Sequence, residues 1–330
     1  MDRAISQIAA RAMASEPPAR AELLDLAARS AERPHDLLYW AGEVRRGRFG
    51  RAVRLCCIVP GKLGACGEDC KWCAQSARSA SGFTALHRAS RDEILSAASA
   101  ASACGAANIG IVNSGRRPSD QEADQVAQFA ADIRAATGAA IGVCASLGEL
   151  TDAQARRLAR AGIVRYHHNL ETSRRFFPQV VTTHDYQRRM ETLASARGAG
   201  MSVCCGGLFG MGETWEDRVD LALALRDEVR PDVVPLNFLH PVAGTALQDA
   251  APLEPMEILR IIAIFRLALP SADIKVAGGR QVNLRDLQSW VFLAGATSLM
   301  TGDYLTTQGR QPQDDLRMIA DLGMEVVKEF

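Results

Sequence analysis

Short apolar runs alternate along most of the chain with segments of helical periodicity. In residues 121–136, for example, Ala123, Val126, Phe129, Ala130 and Ile133 fall on one helical face. Eight apolar runs have the length of buried strands, and they cover residues 53–59, 107–112, 141–146, 163–170, 201–209, 233–239, 274–277 and 298–300. Because a helical segment follows each run, the pattern predicts an α/β fold, a (β/α)8 barrel of the TIM type rather than an open sheet.

The beginning of the chain departs from this rhythm. Residues 1–50 are rich in Ala and Arg, and a helical pattern over residues 21–26 follows the break at Pro17 and Pro18. No low-complexity linker separates later parts of the chain. We therefore expect an N-terminal helical extension over residues 1–50 and a single barrel domain over residues 51–330.

Composition narrows the functional classes. Thirty-eight basic and 38 acidic residues cancel, so the chain lacks the basic footprint of a nucleic-acid binder. The uncharged run 94–115 is interrupted by Gly105, Asn108 and Asn113, which favours a helix and a strand over a membrane span. Without a secretory signal pattern, we expect a cytoplasmic protein that has no membrane partner. In that compartment the nine cysteines would remain thiols.

Three of these cysteines form a compact motif directly after the first predicted strand. The spacing is Cys66-x3-Cys70-x2-Cys73, and the loops that follow barrel strands carry active sites. Soft thiolates favour zinc, copper(I) or iron–sulfur clusters. A structural zinc ion takes four protein ligands, whereas a 4Fe–4S cluster held by three cysteines leaves one iron open for chemistry. A zinc site and three merely buried cysteines remain the alternatives.

The motif resembles the signature of the radical S-adenosylmethionine (SAM) superfamily, with Trp72 before the last cysteine. The block around it, residues 64–77, resembles the biotin synthase family in particular. The resemblance extends over about residues 53–327 and includes the blocks 166–173, 182–186, 206–214, 234–239, 278–285 and 302–307. The combined blocks are far more specific than the three cysteines alone.

This resemblance implies a sulfurtransferase that converts dethiobiotin to biotin. In the family, Cys66, Cys70 and Cys73 would hold a 4Fe–4S cluster whose open iron binds SAM. One electron then produces a radical that takes hydrogen atoms from dethiobiotin, and a 2Fe–2S cluster deeper in the barrel donates the sulfur. The resemblance also implies an electron donor of the flavodoxin or ferredoxin type and a homodimer.

Further residue roles follow from the matching blocks. Asn169 and Glu171 match the polar pair that contacts SAM, although the family commonly has Asp at the second position. Arg189 matches an arginine near SAM, with an ordinary surface charge as the alternative. Asn169 and Asn237 match the amides that bind the ureido group of dethiobiotin. His167 stands where many members have Asn.

The second cluster is where the sequence departs from the family. Cys144, Cys204 and Arg280 match three of its ligands, but Gly110 stands at the position of the remaining cysteine. Cys104 is six residues away and Cys205 should face the helices, while strand alternation directs either Cys56 or Cys57 inward. Two other hypotheses stay open: a related radical SAM enzyme with a different substrate and no second 2Fe–2S cluster, and a non-catalytic protein that binds iron–sulfur or zinc.

Overall fold

The computed structural model describes residues 2–329. Its strands are β1 (Ala52–Leu63), β2 (His87–Arg88), β3 (Asn108–Asn113), β4 (Gly142–Ser146), β5 (Ile163–His167), β6 (Ser202–Cys204), β7 (Gly207–Phe209), β8 (Val233–Phe238), β9 (Asp273–Val276), β10 (Ser298–Met300) and β11 (Glu325–Val326). Its helices are α1 (Arg3–Met13), α2 (Arg20–Arg29), α3 (Pro34–Phe49), α4 (Arg91–Ala103), α5 (Asp120–Thr137), α6 (Asp152–Arg160), α7 (Phe177–Val180), α8 (Tyr186–Gly198), α9 (Trp215–Ala224), α10 (Pro255–Ala268), α11 (Arg280–Leu284), α12 (Trp290–Leu293) and α13 (Pro312–Asp321).

Parallel strands close into a barrel, which confirms the predicted (β/α)8 fold. The hydrogen-bonded order runs β1, β3, β4, β5, β6, β8, β9 and β10, and β10 pairs with β1 to complete the ring. Strand β7 continues the position of β6 and pairs with β8. The short strands β2 and β11 add to the two ends of β1 outside this ring. Each predicted apolar run supplies a barrel strand.

The run 201–209, expected as one strand, is interrupted between β6 and β7. Gly206 lies at the interruption, where only glycine fits because a Cβ would lie 1.9 Å from the carbonyl oxygen of Pro235. The Gly206 carbonyl oxygen instead accepts the N–H groups of Leu170 and Glu171, at 3.1 and 3.2 Å. The predicted strand 163–170 likewise ends at His167, so its last residues form a loop at the barrel mouth.

Three helices precede the barrel and pack on its outer helices. Helix α3 contacts α10, α1 contacts α3, and α2 contacts α9. The buried guanidinium of Arg45 donates to the carbonyl oxygens of Ala296, Gly50 and Ala52, at 3.0, 2.5 and 2.6 Å. The start of β1 is thereby fixed to the segment that leads into β10. Within residues 2–329, every helix is too short or too polar to cross a bilayer.

Candidate active site

A cavity of about 350 Å³ occupies the inside of the barrel and opens at the carboxyl ends of the strands, the usual location of active sites in this fold. The sequence-predicted residues that line it are Cys73, Cys144, Asn169, Glu171, Cys204 and Asn237. They come from the loop after β1 and from β4, the end of β5, β6 and β8. The structure therefore brings most of the predicted site residues to one place.

The cysteine loop is closed by its own backbone hydrogen bonds. Cys66 donates its N–H to the carbonyl oxygen of Gln75 at 3.2 Å, and Ala77 returns one to Cys66 at 2.7 Å. Burial raises the pKa of the Cys70 thiol, the charges of Cys73 and Cys66 raise it further, and Arg189 opposes them. The three thiols thus belong to one closed loop. That arrangement is the one that a three-thiolate cluster site requires.

The loop is anchored to the segment that precedes α8. The Asp69 carboxylate accepts the backbone N–H groups of Thr182 and Thr183, at 3.0 and 3.2 Å. The neighbouring Glu68 carboxylate contacts the Thr183 hydroxyl at 2.6 Å and His184 Nδ1 at 2.5 Å. The sequence analysis included residues 182–186 among the matching blocks but gave them no role. Their contacts show that they hold the cysteine loop.

Arg189 is buried within the site, whereas the adjacent Arg188 is exposed. Its Nη1 donates to the carbonyl oxygen of Asn169 at 2.7 Å and lies 3.8 Å from the Glu171 carboxylate. Its Nη2 lies 2.9 Å from His184 Nε2. Since an arginine only donates, His184 Nε2 accepts and His184 Nδ1 donates to Glu68. The guanidinium therefore connects the cysteine loop to the loop after β5.

That loop holds Asn169 and Glu171 in defined positions. Asn169 Oδ1 accepts the N–H of Gly206 at 3.0 Å, and its Nδ2 donates to Glu171 at 3.3 Å. Glu171 has a left-handed backbone with φ of 69°, an uncommon conformation for this residue type. Burial raises the pKa of the Glu171 carboxyl, while Arg189 and His167 act in the opposite direction. A carboxylate held beside an amide in this way can accept hydrogen bonds from the hydroxyl groups of a ligand.

Asn237 lies in β8 and is positioned by two backbone contacts. Its Nδ2 donates to the carbonyl oxygen of Gly207 at 3.1 Å, and its Oδ1 accepts the N–H of Gly278 at 2.9 Å. An amide nitrogen has two hydrogens and an amide oxygen has two lone pairs. Asn237 therefore retains one donor and one acceptor for a polar group inside the cavity.

Deeper in the barrel, Cys56, Cys144 and Cys204 line the same cavity as Lys275. Lys275 Nζ lies 3.7 Å from the sulfurs of both Cys56 and Cys204, and His167 Nδ1 lies 3.3 Å from Cys204 Sγ. Lys275 was not among the site residues predicted from the sequence. A charged residue within the apolar run 274–277 was the available signal, because buried lysines are rare unless they are paired.

The structure does not bring Arg280, which was predicted as a cluster ligand, to this group of thiols. Its buried guanidinium forms a salt bridge with Asp315, donates to Gln288 Oε1 at 2.9 Å and contacts the carbonyl oxygen of Met300 at 3.3 Å. Gly279, with φ of 76°, turns the chain into α11 ahead of it. A buried arginine requires an anionic partner, and Asp315 supplies that partner outside the cavity.

Comparison with known proteins gives concordant results. The sequence model of the radical SAM superfamily matches residues 63–225, and that of the biotin and thiamin synthesis associated domain matches residues 235–325. A biotin synthase from Trichlorobacter lovleyi is 50% identical over 310 residues, which cover 94% of this chain and 92% of the relative. A biotin synthase from Citrifermentans bemidjiense is 43% identical and covers 99% of both chains.

Solved structures share the fold at low sequence identity. Methylornithine synthase superposes with a TM-score of 0.83 at 19% identity, covering 97% of each chain. The FeFe-hydrogenase maturase HydG from Carboxydothermus hydrogenoformans superposes with a TM-score of 0.79 at 18% identity, covering 99% of this chain and 80% of the maturase. At this identity the likeness concerns the barrel and its connections alone.

Proposed function

The chain belongs to the biotin synthase family of radical SAM enzymes, and from this premise we propose that its barrel converts dethiobiotin to biotin by sulfur insertion. The observation that carries the proposal is a cavity lined by Asn169, Asn237 and Cys73, the last residue of the Cys66, Cys70 and Cys73 loop. Family membership identifies the reaction, and the cavity provides a place for it.

The residues present fit a 4Fe–4S cluster with SAM. Three thiols on one closed loop can bind three irons and leave the fourth to SAM. When bound, the cluster supplies the electron for reductive cleavage of SAM. The partly buried Glu171 would accept hydrogen bonds from the hydroxyl groups of SAM, and the buried Asn169 would donate to them. Arg189 would hold the backbone of that loop and add positive charge where the carboxylate of SAM has to lie.

Asn237 would orient dethiobiotin, because the remaining donor and acceptor of its amide suit a ureido group. Asn169 would contact the same group through its second amide hydrogen, which its bonds to Gly206 and Glu171 leave available. The closed barrel would exclude water from the reacting carbons. His167, which stands beside Cys204, would limit the space below the substrate.

We further propose a second iron–sulfur centre, of the 2Fe–2S type or a variant of it, at Cys144 and Cys204. Their burial deep in the cavity supports a centre that lies below the substrate. A flavodoxin- or ferredoxin-type protein would provide electrons, and the active form would be a homodimer. All nine cysteines carry free thiols, which supports a cytoplasmic setting.

One observation favours a second candidate function. Gly110 lines the cavity but offers no ligand where the family resemblance expects a cysteine. A relative within the same family that generates the radical but acts on another substrate, with an altered or absent second cluster, would fit that difference. The two candidates differ in the product that they release.

The test uses anaerobically reconstituted full-length protein with SAM, dethiobiotin and a chemical reductant. We expect both 5′-deoxyadenosine and biotin, measured by mass spectrometry. Cys70→Ala should abolish both products, whereas the matched control Cys104→Ala, at the end of α4 outside the cavity, should retain both. Formation of 5′-deoxyadenosine without biotin would instead support the second candidate.

A further inference from the structure

We propose that Cys56, Cys144 and Cys204 form the thiolate set of the second iron–sulfur centre in this chain, with Lys275 as its cationic partner. The proposed function identifies the group as an iron–sulfur cluster, and the structure identifies the residues. Cys56 thereby provides the third thiolate that Gly110 cannot. Lys275 takes the place that the family resemblance gave to Arg280.

Strand register directs Cys56 into the barrel. Cys56 pairs with Asn108 and Ile58 pairs with Gly110 on the neighbouring strand, while Gly110 pairs with Cys144 on the next one. Side chains two residues apart on a strand share a face, so Cys56 lies on the same face as Ile58 and one pleat deeper. The cavity wall accordingly includes Cys56, Ile58, Gly110 and Cys144. The adjacent Cys57 faces the opposite side, beside the thiol of Cys104.

Lys275 links sulfurs from two strands that are not neighbours. Its ammonium lies 3.7 Å from Cys56 Sγ on β1 and 3.7 Å from Cys204 Sγ on β6. The side chain is buried, and a buried ammonium requires an anionic partner. Asp273, on the same face of β9, already accepts hydrogen bonds from Arg54, Thr297 and Ser298. Thiolates that carry a cluster would supply the missing negative charge.

A second cation lies beside the same thiols. Arg165 lies on β5 and lines the cavity, and its Nε donates to the Ser202 hydroxyl at 2.9 Å. It pairs in register with Cys144 on the neighbouring strand β4, and Cys56 and Cys204 line the same cavity. Two cations beside three thiols suit a polyanionic group, whereas three neutral packing cysteines would give the buried ammonium of Lys275 no counter-charge.

Neither set of thiols forms a site for a single ion. Among residues 2–329, no three His, Cys, Asp or Glu side chains lie close enough together to bind one metal ion, and this holds for Cys66, Cys70 and Cys73 as well. Ligands of one ion each lie about 2.3 Å from it, whereas the cysteines of a cluster bind different irons. The cavity thiols are therefore proposed as ligands of a cluster rather than of one ion.

The test separates the two centres by removing the first. Full-length protein carrying Cys66→Ala, Cys70→Ala and Cys73→Ala is reconstituted anaerobically with iron and sulfide, and bound iron, bound sulfide and the Mössbauer spectrum are measured. We expect iron and sulfide to remain in this triple variant. Adding Cys56→Ala should reduce bound iron about tenfold or more, since a buried centre that loses one of its protein ligands becomes far weaker. Adding the matched change Cys57→Ala, on the opposite face of the same strand, should leave the iron content unchanged.

Two results would overturn the proposal: a triple variant without iron, or unchanged iron and an unchanged spectrum after Cys56→Ala. If the alanine variant fails to fold, the isosteric change Cys56→Ser can be used instead, because it keeps the side-chain volume. Cys56→Ser should either lower bound iron or alter the Mössbauer spectrum. Circular dichroism of each apo-variant checks folding. Because the readout is metal content, the result is independent of whether the wild-type chain produces biotin.

Discussion

His184 lies between the cysteine loop and the segment proposed to bind SAM. Its Nδ1–H donates a hydrogen bond to Glu68 of the loop, and its Nε2 accepts one from Arg189. The imidazole ring must therefore be neutral. Burial lowers the pKa of His184, and the charge of Arg189 lowers it further, although Glu68 opposes both. A single imidazole thus fixes the positions of one carboxylate and one guanidinium.

We expect His184→Ala to weaken SAM binding about tenfold, because loss of a hydrogen bond to a charged group is worth about 1.5 kcal/mol. Calorimetric titration of reconstituted protein with SAM measures this change, and the iron content should equal that of the wild type. His87→Ala provides a matched control, since His87 is exposed and contacts only a surface carboxylate, Glu93, at 3.6 Å. If His184→Ala bound SAM with wild-type affinity, Arg189 would not need the hydrogen bond to His184 for its position.

At the scale of elements, the N-terminus of α9 is joined to the loop after β5 by one carboxylate. Asp217 is buried and accepts the Ser173 hydroxyl at 2.6 Å, the Thr214 N–H at 3.0 Å and Arg175 Nη2 at 2.6 Å. Burial alone would raise the pKa of Asp217, but hydrogen bonds from Ser173 and Thr214, together with the charge of Arg175, hold it below its ordinary value. The carboxylate is therefore ionised in the folded protein at neutral pH.

We expect Asp217→Asn to lower the free energy of unfolding by about 2 kcal/mol at pH 7, since a buried charged hydrogen-bond network is disrupted. A carboxyl group whose folded-state pKa is depressed stabilises the fold above its unfolded-state pKa and loses that effect as the pH falls through the folded-state value. The difference should thus be constant from about pH 5 to about pH 8, because this range lies roughly one unit or more above the ordinary Asp pKa, and it should shrink only below about pH 4.

Urea unfolding of the apo-protein measures the effect of Asp217→Asn. Asp220→Asn is the control on the same helix, because Asp220 forms a solvent-exposed pair with Arg20 at 2.6 Å and should change stability by less than about 1 kcal/mol. Equal losses in the two variants would contradict the role of burial. A loss that disappears already between pH 7 and pH 5 would contradict the depressed pKa.

At the scale of the whole molecule, the periodicity of apolar residues was sufficient to predict the barrel. Each apolar run became a strand because burial on both faces leaves a continuous apolar pattern. Periodicity could not locate the interruption at Gly206, a residue that lies close to the Pro235 carbonyl on another strand. The three loop thiols could be predicted from their spacing, because they lie close together along the chain.

The sequence alone did not indicate which charged residues would pair with residues far away along the chain. Two arginine positions depended on which anion the fold places beside them: Arg189 reaches Glu171, and Arg280 reaches Asp315, 35 residues further along the chain. Lys275 meets Cys56 across 219 positions. No local pattern encodes such a contact, so motif matching selected Arg280, whereas the fold places Lys275 beside the thiols of the cavity. The partners of buried charged residues can be assigned only when the closed barrel is known.

The same reasoning gives a prediction for how α13 is held against the barrel. Arg280 and Asp315 form a salt bridge in which both side chains are almost completely buried, and the Thr301 hydroxyl donates to Asp315 at 2.8 Å. Removing one partner leaves an uncompensated buried charge. We therefore expect Asp315→Leu to lower the free energy of unfolding by about 3–5 kcal/mol. Urea unfolding of the apo-protein measures this loss.

The double variant Arg280→Met with Asp315→Leu distinguishes a structural arginine from a metal ligand. Apolar residues of similar volume can replace a buried ion pair with little loss of stability, so we expect the double variant to recover most of what Asp315→Leu loses. Because the Arg280 guanidinium points to Gln288 and Met300 rather than into the cavity, bound iron should equal that of the wild type after reconstitution. A double variant that regains its stability but loses iron would show that Arg280 reaches a cluster. The double variant thus tests in one protein whether the charge of Arg280 stabilises the fold or contacts a cluster.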